Sequence, residues 1–93
     1  MVKHIVLFNV KDGEDKDAVA KKAAAALEPL VGKIEGLTHV EVRRTYAGAD
    51  FALYCELTSR QTMEAYAVHP LHTEAKSHFF HLLSGRTAAD YEV

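Results

Sequence analysis

Two segments of this chain are apolar on both sides of an extended backbone, and nothing else limits its fold as strongly. Residues 2–10 read Val-Lys-His-Ile-Val-Leu-Phe-Asn-Val, with His4, Val6 and Phe8 on one face and Ile5 and Leu7 on the other. Residues 51–57 read Phe-Ala-Leu-Tyr-Cys-Glu-Leu and carry apolar groups on both faces in the same way. Side chains alternate across a strand, so such segments belong in the middle of a sheet covered twice. The chain has only 93 residues, which makes one domain spanning 1–93. A domain of that size buries about 60–65% of its unfolded surface, and it has too few elements to cover both sheet faces. A second copy, sheet against sheet, would supply the missing cover.

The remaining patterns supply those elements. Asp15 or Asp17 can cap a helix starting near Lys16, and Val19, Ala23, Leu27, Leu30 and Ile34 follow at helical spacing. Pro29 predicts a kink, or a stop followed by a short helical turn, and Gly36 punctuates the end. Residues 37–46 alternate, with Val40, Val42, Arg44 and Tyr46 on one face and His39, Glu41 and Arg43 on the other, as in a half-exposed edge strand. They pair with 50–57 as a hairpin. Thr58 or Ser59 caps the next helix, and Thr58 with Gln61 resembles a capping box. Met63, Tyr66 and Ala67 form its inner side. After Pro70 a second stripe of Leu71, Ala75, Phe79 and Leu82 runs to Ser84-Gly85, and Arg86–Val93 reads as a last strand. Strand, helix, strand, strand, helix pair, strand is the α+β, ferredoxin-like βαββαβ order, whose solution is a four-stranded antiparallel sheet with helices on one face.

Composition removes several classes of function. The formal net charge is −2 with no long basic run, which argues against a nucleic-acid binder. No apolar run approaches the roughly 18 residues of a membrane span, and no signal-peptide pattern opens the chain, so a cytoplasmic protein is expected. One cysteine, Cys55, permits no intrachain disulfide, and its place in an apolar strand reads as an inert buried thiol.

The chemistry-bearing segment is Tyr66-Ala67-Val68-His69-Pro70-Leu71-His72. Pro70 suits the first turn of a new helix and pushes His69 out of the helical region. His72 then lies in that first turn, where the dipole disfavours an imidazolium. A neutral imidazole beside a tyrosine hydroxyl can be an acid–base pair, or equally a brace at a helix corner. His4, in a central strand, is a polar group that must be satisfied. His69 reads as a capping or exposed residue. His69 with His72, and His78 with His81, have a spacing that can offer two metal ligands, but no third ligand is recognisable, and no metal is expected. No glycine spacing cradles phosphate and no nucleophile–base pair is visible, so no cofactor is expected either.

Together, Val2 to Phe8, Leu30 to Ile34 with Gly36-Leu37, Asp50 to Tyr54, Tyr66 to His72 and Asp90-Tyr91-Glu92 carry a resemblance. Over residues 2–93 the chain resembles the stress-responsive dimeric α/β-barrel family. That resemblance implies a homodimer whose two ferredoxin-like sheets face each other as a barrel. It also implies a largely apolar cavity in each subunit, able to take a small apolar or aromatic ligand. One plant branch of the family consists of polyketide cyclases that close a linear polyketide by an aldol reaction. Carried over, that pattern falls on His72 as the proton-removing base, Tyr66 as the group holding a carbonyl, and His4 near the far end of the site. A further tyrosine of the cyclase pattern aligns with Leu27, so one polar anchor is replaced by an apolar side chain. Two readings stand: a small-molecule-binding or stress-associated barrel without chemistry, and a cofactor-free lyase, cyclase or isomerase.

Overall fold

A computed structural model describes residues 1–93. Its elements are β1 (Val2–Val10), α1 (Lys16–Leu27), β2 (Leu37–Arg44), β3 (Phe51–Leu57), α2 (Arg60–Ala67), α3 (Pro70–Ser77) and β4 (Leu83–Glu92). The four strands form one sheet in the order β2-β3-β1-β4, with every neighbouring pair antiparallel. This is the ferredoxin-like arrangement expected from the sequence. The two strands that are apolar on both faces, β1 and β3, lie in the centre, and β2 is an edge.

Local chemistry sets the helix ends. Asp15, rather than Asp17, caps α1, accepting the Ala18 N–H at 3.0 Å. Asp17 instead pairs with Arg44. Pro29 lacks the N–H that another α-helical turn would need, so α1 stops at Leu27 and a 3-10 turn, Glu28–Leu30, follows. The capping box of α2 lies one residue later than the sequence pattern indicated. The Thr58 N–H is held by the Gly36 carbonyl at 2.9 Å, so Ser59 becomes the cap and exchanges hydrogen bonds with Thr62. His69 caps α3, its ring nitrogen accepting the Leu71 N–H at 3.1 Å.

Two boundaries differ from expectation. Strand β2 ends at Arg44, so Tyr46 falls in the following turn, fully exposed, instead of sharing the inner face with Val42. Helix α3 ends at Ser77, and after a 3-10 turn, Phe80–Leu82, β4 begins at Leu83. Ser84 and Gly85 therefore lie inside a strand, with Gly85 opposite Asn9, and a register shift between Asn9 and Val10 absorbs the irregular entry. The Lys11 N–H bonds the Leu82 carbonyl at 2.9 Å and fixes that entry.

The core lies between the helices and the inner face of β1 and β3. Val6, Phe8, Leu27, Leu53 and Phe79 are all buried there. Phe8 stacks on Phe51 with centroids 4.8 Å apart and meets Phe79 edge-on at 5.9 Å. Strand β4 is different: from Ser84 to Glu92 every residue is exposed, on both faces. The outer sheet face presents Ile5, Leu7, Ala52, Tyr54, Ala89 and Tyr91, with Leu7 and Tyr91 well exposed in the single chain. No helix is long and apolar enough to cross a membrane.

Candidate functional site

Where the helices stop short of β4, a cavity of about 340 Å³ opens between β1, β4 and the corner joining α2 to α3. Its apolar walls include Val6, Phe8, Leu27, Leu53, Phe79 and Phe80. Its polar groups are His4, His72, Asp90, Lys76 and Arg86. A second hollow, about 360 Å³, shares Met63 and Asp90 with the first. It holds no histidine, and two of its lining groups, Arg60 and Glu92, pair with each other at 3.0 Å.

His4 reaches the cavity because alternation along β1 places it on the same face as Val6 and Phe8. It is the one buried polar side chain of the core. The cost of burying it is offset by a short hydrogen bond from its Nδ1 to the Asp90 carboxylate, on the strand residue directly opposite.

His72 reaches the cavity because Pro70 starts a new helix at an angle to α2. Its ring stacks on Tyr66, with centroids 4.1 Å apart and planes 28° apart. Tyr66 in turn meets His4 edge-on at 6.2 Å. Burial, then the nearby Lys76 ammonium, push the His72 pKa down to about 4, so the ring is neutral at ordinary pH. The carbonyls of Ala67 and Tyr66 oppose that shift only in part. The buried Nδ1 of His72 has no hydrogen-bond partner.

Tyr66 is placed differently from its two neighbours. It is fully buried and contributes no surface to the cavity. Its hydroxyl has no partner of good geometry and adjoins the Cys55 thiol. Burial raises the pKa of both groups, that of Cys55 to about 12, which keeps the thiol protonated and inert. The structure thus brings His4 and His72 to one cavity and sets Tyr66 behind its wall, in contact with both rings. Helix α2 turns the phenol inward to the core instead of towards the opening. His69 is occupied as a cap, and His78 and His81 are exposed outside the cavity. No three metal-ligating side chains converge anywhere in the chain.

Sequence reasoning missed Asp90, Arg86 and Lys76. The signal for the first two was present. Arg86, Ala88 and Asp90 share one face of the last strand, and that strand must pair with the one bearing His4. Only the register, which sets His4 opposite Asp90 and Phe8 opposite Arg86, turns that face into a site. Lys76 lies one helical turn beyond His72, and nothing in its own segment sets it apart.

A four-stranded antiparallel sheet with helices on one face and a histidine-bearing apolar cavity on that side defines a small ferredoxin-like α+β domain. The Stress responsive A/B Barrel Domain family matches residues 2–93, and the chain belongs to that family. Among solved structures it is similar to a dimeric protein of unknown function with a ferredoxin-like fold from Bacteroides fragilis. That protein is 32% identical with a TM-score of 0.88, the match covering 99% of this chain and 95% of the other. A dimeric ferredoxin-like protein of unknown function from Thermobifida fusca is 25% identical, with a TM-score of 0.82 and coverage of 99% and 90%. An Arabidopsis thaliana protein shares the fold at 22% identity, with a TM-score of 0.86 and coverage of 100% and 95%. No curated protein matches the chain in sequence.

Proposed function

We propose that this protein is a cytoplasmic homodimer that binds a small, largely apolar molecule in the cavity between β1, β4 and the α2–α3 corner. The observation that carries the reading is the cavity itself, in which nine apolar residues surround His4 and His72. An apolar pocket with a few convergent polar groups is the usual form of a small-molecule site. The dimer is supported by the half-buried Ile5 and the exposed Leu7, Ala89 and Tyr91 on the outer sheet face and by the dimeric relatives. The cytoplasmic assignment is supported by a single buried free cysteine.

A nuclear magnetic resonance titration with 2-naphthol, a neutral aromatic probe, tests the site. Shifts centred on His4, Val6, His72 and Ala88 are expected. Shifts confined to the outer sheet face, or none at millimolar probe, would sink the reading.

A second reading has one specific observation in its favour: His72 is neutral, faces the cavity and can accept a proton. It would act as the base on a carbon acid, with Tyr66 fixing the plane of the His72 ring. A base of pKa about 4 is weak, because general bases work best near the operating pH. The apolar Leu27 in the wall adds no polar anchor. Binding is therefore the primary reading. Exchange of the α-protons of a bound aryl ketone with D₂O, abolished by His72→Gln, would promote the second reading over the first.

A further inference from the structure

The charges around the cavity are segregated by register. Asp90 lies opposite His4, and Arg86 lies opposite Phe8. Four residues separate each pair of positions along its strand, about 13 Å. At the acidic end the Asp90 carboxylate already has a hydrogen-bond partner in His4. The other end has no such partner. Arg43, Arg44 and Arg60 each pair with a carboxylate, whereas Arg86 pairs with none. Lys76 also lacks a carboxylate partner, and its ammonium lies over the Phe80 ring at 5.3 Å. Phe80 packs edge-on against Phe8 with centroids 6.3 Å apart. Arg86 and Lys76 thus flank the Phe8–Phe80 contact, one from the strand side of the cavity and one from the helix side.

We propose that the cavity selects a monocarboxylate with an aromatic or alkyl body about 10 Å long. The carboxylate is held between Arg86 and Lys76, and the body points along Phe8 and Val6 towards His72 and His4. The proposal rests on the cavity being a ligand site and adds the chemical class of the ligand. A guanidinium presents two parallel N–H donors that match a carboxylate, and Lys76 adds a point charge from the helical side. An apolar amine would meet two cations at this end and find the only anion already paired. Arg86 stands exposed at the mouth, so salt weakens its pull and its contribution is modest.

The test compares 6-phenylhexanoate with 6-phenylhexanamide, which share a body and differ only in charge. Calorimetric titration of the full chain at low salt should show the acid binding about tenfold tighter, the scale of a hydrogen bond to a charged group. Added sodium chloride should shrink that ratio. Arg86→Gln with Lys76→Gln should bring the ratio near one, and Arg86→Glu should invert it. Neither position has an ion-pair partner, and Lys76 gives up only its place over the Phe80 ring, so these variants should fold, which circular dichroism checks. Equal affinity of acid and amide in the wild type would overturn the carboxylate preference while leaving the cavity a ligand site. A preference that survives all three substitutions would show that other residues hold the charge. Binding of neither probe would overturn both the preference and the site.

Discussion

Gly36→Ala should be among the most damaging small substitutions in this protein, although it adds one methyl group. Gly36 has φ +84°, and a Cβ placed on it would overlap the Thr62 side chain and lie 3.0 Å from the Thr58 hydroxyl. The left-handed backbone alone costs a non-glycine residue about 1–2 kcal/mol. Forcing a methyl into a packed contact costs about 1–3 kcal/mol more, for a sum of about 2–5 kcal/mol. Gly48 provides the control, having φ +86° with nothing within 4 Å of its Cβ position. Gly48→Ala should therefore cost only the backbone part. Urea unfolding at one fixed protein concentration, with slopes compared, measures both losses. A third variant, Gly36→Ala with Thr62→Ser, keeps the capping hydroxyl and removes the overlapping methyl, and should recover part of the difference. Equal losses for Gly36→Ala and Gly48→Ala would refute the overlap argument. The contact matters for the site because Thr62 belongs to the box that starts α2. Any shift there moves Tyr66 against His72.

Three further outcomes are expected. Because the His72 pKa falls from 6.5 to about 4 on folding, the unfolded chain takes up the proton first as pH drops. The stability linked to this ring is complete above pH 6.5 and is lost as pH falls towards 4, and His72→Gln should flatten that part of the pH profile of the urea midpoint. Phe79→Ala should cost about 3–5 kcal/mol, since the ring is fully buried against Phe8 and Phe80; a loss under about 1 kcal/mol would show that it is not core. Sedimentation at micromolar concentration should find a dimer, and Leu7→Asp should release a 10.3 kDa monomer; a wild type that sediments only as the monomer ends the dimer proposal.

The fold was legible because its strongest signals are periodic and local. Apolar groups on both faces of residues 2–10 and 51–57 mark the central strands, and Asp15, Pro29 and Pro70 each act within a turn of their own position. The errors share one cause. Tyr46 and Ser84-Gly85 were placed by extending a pattern, but strand ends are set by partners distant in sequence, such as the Leu82 carbonyl that holds Lys11. The site divides in the same way. His4 and His72 could be found because a histidine on an apolar strand and one after a proline corner stand out individually. Asp90 and Arg86 acquire meaning only opposite His4 and Phe8, a register that the sequence does not print. Tyr66 had the right helix face, but how far its hydroxyl sinks depends on the packing of Cys55 behind it.

The cavity exists because β4 does not complete the core. Its inner face offers Arg86, Ala88 and Asp90, two charged groups flanking a methyl, where β1 and β3 offer Val6, Phe8 and Leu53. A strand built for stability would put a large apolar residue at position 88, opposite Val6. That gives a test separating ligand binding from folding. Ala88→Leu adds apolar volume to space that is already open, so stability should stay level or rise by about 0.5–2 kcal/mol, as cavity-filling changes do. The same side chain would occupy the middle of the path from Arg86 to His4, and binding of 2-naphthol should be lost. Thermal unfolding and the resonance titration, run on one preparation, read the two effects together. A destabilised variant would mean that the space beside Ala88 is filled in the native protein. A variant that binds the probe as before would mean that the ligand lies elsewhere.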